Sequence, residues 1–209
     1  MKSKIDTQAA AKWLLENCVI VDTETTGLSN PQIMEIAIID GDTGKQLQNS
    51  LVECCHDPEP EALALHGITS AMTYKDGIEV DDLSSQLSAI EEEGKILTSF
   101  NWRFDYKAIY YTTVGTDIPD PLPPWQYARA GAGFRQPVRP LVPICIMELA
   151  NRHLHKHLEW DFEQSKFKRL SLARCCEISG VEFTGTAHRA LPDAVAARDL
   201  LVAIAEGRV

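Results

Sequence analysis

The chain has little that would take it out of water or into an oxidising compartment. No apolar run in its 209 residues approaches the roughly 20 needed to cross a bilayer as a helix. Lys2 and Lys4 are followed only by Ala9 to Ala11 before Lys12, too short an apolar stretch for a secretory signal. The six cysteines (Cys18, Cys54, Cys55, Cys145, Cys175, Cys176) contain no C-x-x-C pair. That excludes a zinc knuckle, and the spacing is not that of a secreted disulfide framework. Reduced thiols, a cytoplasmic location and no membrane contact are the expectation. Positive charge is scarce too: 20 Lys and Arg against 30 Asp and Glu leave a net charge of −10. This excludes a protein that coats duplex nucleic acid by charge alone.

The shortage of cations is uneven. Residues 129 to 174 hold nine Lys or Arg and four acids, which is either a solvated face or a surface that tracks a polyanion backbone. There is no internal repeat or low-complexity tract, and 209 residues suit a single domain. Seven of the eleven prolines fall between 115 and 143, so that stretch is expected to be a surface insertion rather than helix or central strand.

Outside that insertion the periodicity is regular. Residues 7–16 have helical composition, and Cys18 to Asp22 form a short β-branched run expected to be a buried strand. Strands at Ile33 to Asp40 and Gln46 to Glu53 complete an antiparallel meander. Helices are expected at 61–66, 70–74 and 81–92, then a strand at 95–100 and a helix at 104–113. After the insertion come helices near 147–155, 170–179 and 191–206, the last with an apolar stripe at 191, 195, 202 and 205. A meander followed by a β-α-β return implies an α/β fold, a mixed sheet flanked by helices.

Three places carry chemistry. Asp22 and Glu24 end the first strand, and residues i and i+2 of a strand share a face. Paired carboxylates there suit a hard cation such as Mg²⁺ or Mn²⁺ rather than zinc. Asp105 opens a helix in Asn101-Trp102-Arg103-Phe104-Asp105, where a helix-start acid is the plainer reading. In His188-Arg189-Ala190-Leu191-Pro192-Asp193, Pro192 suits a first helical turn, which holds Asp193 while His188 lies in the preceding loop. His153 and His157 would share a helix face that could bind a transition metal, although a polar helix end is the better reading of them. Trp102 and Phe104 are read as core.

VDTETTGL, then NxxFD, then HxAxxD, in that order, resembles the three motifs of the DnaQ-like exonucleases of the DEDDh class. Leu65-His66-Gly67-Ile68-Thr69, Ile144 to Ala150 and Leu170-Ser171-Leu172 are similar to further family elements, so the likeness runs from about residue 19 to 205. It departs at Phe100, where relatives carry His before the Asn, and in the length of the insertion.

The resemblance implies a ribonuclease H-like fold with a mixed five-stranded sheet, three strands antiparallel plus parallel ones, in a single exonuclease domain. It implies a 3′→5′ exonuclease using two Mg²⁺ or Mn²⁺ ions. Asp22 would bridge both, with Glu24 and Asp193 on the nucleophile side, Asp105 on the leaving-group side and His188 as general base. Thr25, Gly27, Leu28, His66 and Asn101 would contact substrate, with Leu28 a wedge against the terminal base. The expected partner is a single-stranded DNA or RNA 3′ end, and a homodimer is compatible with the sequence. Polymerase association is not indicated, since the chain ends just past its last helix. A trimmer of RNA and a non-catalytic binding module are the alternatives, the second disfavoured because all four acids and the histidine are present.

Overall fold

A computed structural model describes residues 6–115 and 145–208. Its most apolar segment, IMEIAIID, is strand β2 (Ile33–Asp40), buried along nearly its whole length. A strand covered on both faces reads as a continuous apolar run, not an alternating one. β2 lies accordingly in the sheet interior, antiparallel to β1 (Cys18–Thr25) on one side and to β3 (Gln46–Leu51) on the other. β3 is polar and partly exposed, as an edge strand should be. Beyond β1 lies β4 (Ile96–Thr98), parallel to it, giving the order β3-β2-β1-β4.

The pleat divides these strands between two cores. Cys18, Ile20, Ala37 and Ile39 face helices α1 (Thr7–Asn17), α6 (Ile146–His153), α7 (Leu172–Ile178) and α8 (Ala190–Glu206). Val19, Val21, Ile36 and Ile38 face α4 (Val80–Glu92) and α5 (Trp102–Thr113). Two short helices, α2 (Pro60–His66) and α3 (Ser70–Asp76), lie between β3 and α4. The expected elements are therefore present, within a few residues of their expected ends.

Three expectations change. The main sheet has four strands among the described residues, not five. Beside β4, Ile146 and Met147 at the start of α6 donate backbone hydrogen bonds to the Ser99 and Phe100 carbonyls at 3.1 and 2.9 Å, and residues 116–144 lie outside the described residues. The apolar stripe expected on α8 is wider than its four positions: Ala205 is buried, Leu191 and Val195 are half-buried against the same core and Val202 is half-buried, while Ala190, Ala194, Ala197, Leu200, Leu201 and Ile204 form most of the buried face. Small side chains let that helix lie close to the sheet. A hairpin that the periodicity did not announce, β5 (Trp160–Asp161) with β6 (Lys166–Phe167), follows α6. Residues 116 to 143 of the expected insertion lie outside the described residues.

All six cysteines are free thiols. Among the described residues no helix is long and apolar enough to cross a membrane.

Candidate active site

β1 carries its two acids to the end of the sheet. Asp22 and Glu24 are half-buried and alternate with buried Thr23 and Thr25. The β1–β2 register shifts between Glu24 and Thr25, a bulge that ends the regular ladder where the acids stand. Asp193, in the first turn of α8, faces the same side: one carboxylate oxygen each from Asp22, Glu24 and Asp193 lie within 4.8 Å of one another.

Asp105 is not one of those three but stands near enough from the opposite layer for its charge to act on Asp22. It is 5% exposed in the first turn of α5. Thr23 Oγ1 donates to its Oδ1 at 2.8 Å and Ser99 Oγ to its Oδ2 at 2.6 Å. Those donors pull its proton affinity back against burial, which still leaves it raised to about 6. Asp22 is raised well above the carboxylate range, by burial first and then by the charges of Asp105, Asp193 and Glu24. Burial, followed by Asp193 and Glu35, lifts Glu24 to about 8. Asp193 is raised by burial, with His188 acting against it.

Acids so crowded ask for a cation, and the residues present fit one. Oδ1 of Asp193 is buried with no hydrogen-bond partner, a cost of about 1–3 kcal/mol unless something positive meets it. The donors are hard oxygens, which suit Mg²⁺ or Mn²⁺.

His188 sits in the exposed loop before α8 with φ +61°, a left-handed conformation uncommon outside glycine. The next residue, Arg189, is anchored. Its guanidinium forks onto Glu35 of β2, with Nε at 3.2 and 3.0 Å from the two oxygens, and Glu35 Oε2 also accepts the Ala190 N–H at 3.0 Å. Burial raises the Glu35 pKa, but the Arg189 and Ala190 hydrogen bonds outweigh it and hold the carboxyl below its usual value. Sequence reasoning passed over Glu35. Its signal was present, an acid in the middle of a central strand that is otherwise apolar up to its terminal Asp40, since a fully buried Glu is rare unless paired.

The remaining expected contacts divide. Leu28 is 80% exposed in the loop after β1, and Asn101 is exposed at the start of α5 with no capping hydrogen bond from its side chain. Gly27 takes φ +154°, and a Cβ there would collide with the Glu59 carboxyl group. Thr25 is buried, its hydroxyl donating to the Gly27 carbonyl at 3.0 Å. His66 is 8% exposed with both ring nitrogens engaged: Nδ1 accepts from Ile68 N–H at 2.9 Å, and Nε2 donates to the Thr25 carbonyl at 3.1 Å. Around it Gly67 ends α2 in the left-handed conformation and Thr69 caps α3. His153 likewise spends its nitrogens internally, on Thr7 Oγ1 and the Arg208 carbonyl. The helix ends there, so His157 does not share its face.

Comparison with known proteins finds exonucleases. Residues 19–121 match the model of the RNase_T exonuclease family. An uncharacterized exonuclease, CP81, of Escherichia phage 186 is 29% identical over 204 residues, covering 96% of this chain and 94% of that protein. E. coli exonuclease I in complex with a dA16 oligonucleotide aligns with TM-score 0.61 at 16% identity, over 92% of this chain and 41% of that one. Exonuclease X in complex with 5′ overhanging duplex DNA aligns with TM-score 0.55 at 23% identity, over 90% and 91%. The chain thus spans about two fifths of exonuclease I, and at these identities the structural likeness speaks to the fold. The resemblance to the DnaQ-like exonucleases, with their ribonuclease H-like fold, is borne out.

Proposed function

We propose that this protein is a metal-dependent 3′→5′ exonuclease that releases nucleoside monophosphates from single-stranded DNA ends, residues 1–209 acting as one domain. The observation that carries the reading is the meeting of Asp22, Glu24 and Asp193 within 4.8 Å, with an unpartnered buried oxygen on Asp193. Asp22, Glu24 and Asp193 would hold one cation, and Asp105 with Asp22 a second. Divalent cations bound there supply activation of water and charge stabilisation at both in-line oxygens of a phosphodiester.

The chain's own residues do the rest. His188, on an exposed loop beside Asp193, takes the proton of the attacking water, a role suited to an imidazole near neutral pH. Arg189 and Glu35 hold that loop. Leu28 packs against the terminal base, and Asn101 at the start of α5 faces the same ligand. His66 acts from behind, orienting the Thr25 carbonyl and so the turn that carries Leu28. The named complexes of exonucleases I and X with DNA support DNA as the substrate. RNA is the alternative, because the acid cluster does not read the sugar.

The test is a gel assay with 5′-labelled single-stranded DNA and matched RNA in Mg²⁺, Mn²⁺ or EDTA, with Asp193→Ala as control. A metal-dependent ladder shortening from the 3′ end, absent in the variant, supports the reading and ranks the sugars. Intact substrate under every condition, with folded protein, would replace it with a non-catalytic binding module.

A further inference from the structure

The acid cluster accounts for the end of a strand but not for its body. α6 and the β5–β6 hairpin border a groove of about 500 Å3, lined among others by Met147, Asn151, Arg152, His155, Phe167 and Arg169. One end of it lies at the first turn of α6. There Ile146 and Met147 donate to the Ser99 and Phe100 carbonyls, and the Ser99 hydroxyl in turn holds Asp105. From that end the groove follows α6 for roughly 10 Å, at about 1.5 Å per residue.

Phe167, the aromatic residue of its lining, belongs to a hairpin whose rings stand in water. Trp160 and Phe167 pair across the hairpin with ring centroids 5.0 Å apart, yet remain 44% and 54% exposed. Phe162, in the hairpin turn, is 86% exposed. Asp161 is occupied in shaping that turn, accepting from the Glu163 and Gln164 N–H groups. Arg152 and Arg169 line the groove, and Lys166 and Lys168 flank Phe167 on the hairpin, all exposed and none in an ion pair among the described residues. Glu148 is the one acid on the lining.

We infer that this groove and hairpin bind the body of a single strand, upstream of the nucleotide being removed. The guanidinium and ammonium groups would meet phosphates, and the rings would stack on bases. Charge complementarity at the lining selects the occupant: in a chain of net charge −10, Arg152 and Arg169 outnumber Glu148 there, while the hairpin's Glu159, Asp161 and Glu163 offset its lysines. The exposed rings beside it offer faces on which unpaired bases can stack. Stacking of this kind tolerates any base. The inference deepens the exonuclease reading and rests on it for the direction of the strand.

Fluorescence anisotropy with 5′-labelled oligothymidylates of about four and about fifteen nucleotides tests it, in EDTA so that nothing is cleaved. The longer strand should bind the wild-type protein at least about tenfold more tightly. Arg152→Ala with Arg169→Ala should remove most of that preference and flatten the dependence on log salt by about 1.4, the effect of two phosphate contacts on a single strand. Phe162→Ala should weaken the long-strand complex about fivefold or more, and its exposed position keeps it informative if the double variant folds poorly. Equal affinity for both lengths, or unchanged affinity in both variants, overturns the inference. Groove-dependent binding without cleavage in Mg²⁺ would sink the exonuclease reading alone. Cleavage with length-independent binding would sink the groove alone.

Discussion

Glu35 and Arg189, distant in sequence, form a charged fork behind the acid cluster, and the same carboxylate accepts the first N–H of α8. Glu35 is also the direct cross-strand partner of Glu24. Two carboxylates placed opposite each other would repel, and Arg189 offsets that repulsion. One side chain of the central strand therefore sets where α8 begins and where the residue after His188 is held.

Glu35→Gln keeps the shape and removes the charge. It should lower kcat about tenfold or more with little change in KM, because the loop carrying His188 loses its anchor while the acids remain. Charged hydrogen bonds of this type contribute about 1.5–3 kcal/mol. The lower part of that range is expected, since the Arg189 side chain is 45% exposed. Arg189→Lys should restore part of kcat, because an ammonium supplies the charge but not the fork. Steady-state kinetics beside urea denaturation would check both; an equal rise in KM without loss of kcat would contradict a positioning role.

The raised carboxyl groups predict a pH dependence. Glu24 at about 8 and Asp105 at about 6 lie above their unfolded values near 4. The metal-free folded state then binds more protons than the unfolded state across that window. Stability should fall as pH rises from about 4 to about 8. Glu35 is lowered, so its contribution is present above the unfolded value and lost only at lower pH. Thermal melting in EDTA should show Tm falling between pH 5 and 8, and Mn²⁺ should raise Tm more at pH 8 than at pH 5. A metal-independent Tm across that range would remove the case for a cation site.

The cluster and the loop histidine should separate in mutagenesis. Asp22→Ala should abolish cleavage, since Asp22 is central to both proposed ion positions. His188→Ala should slow it about 10²–10⁴-fold, the usual contribution of a general base, while metal-supported DNA binding persists. Relief of the positive φ is a second consequence: His188→Gly should be neutral or slightly stabilising, because glycine adopts φ +61° without strain. Single-turnover rates on bound substrate provide the check, and near-wild-type activity in Asp22→Ala would overturn the metal assignment.

Most of this was legible in the sequence because local patterns carried it. The run IMEIAIID announces a central strand, DTE places two acids on one face, and Pro192 starts the helix that holds Asp193. What was not legible depends on long-range pairing. Nothing near Glu35 in sequence indicates Arg189, and strands of two residues, as in the β5–β6 hairpin, are too short for a period to emerge. The α8 stripe was read too narrowly, because close packing against the sheet also buries alanines that a hydrophobicity reading passes over. The motif around His66 was read as substrate contact, and its junction of a helix end, a left-handed glycine and a helix cap emerged only in three dimensions.

His66 therefore provides a sharp test between scaffold and contact. Both of its nitrogens bond within the protein, and burial lowers its pKa. Its neutral form is the one the fold uses: Nδ1 accepts from Ile68 and Nε2 donates to Thr25. A lowered histidine pKa means that stability is present above the unfolded value near 6.5 and erodes as pH falls below it. His66→Ala should cost about 1–3 kcal/mol by leaving the buried Ile68 N–H and the Thr25 carbonyl unpaired. The rise in stability expected from the raised carboxyl groups between pH 6.5 and 5 should then be larger than in the wild type, because the opposing His66 contribution is gone. Activity should fall through the displaced Thr25–Leu28 turn, so Leu28→Ala in the His66→Ala background should add less than it does alone. Urea melts at pH 5 and pH 7.5 with the double-mutant cycle would decide. An unchanged melt with KM raised independently of Leu28 would make His66 a direct substrate contact instead.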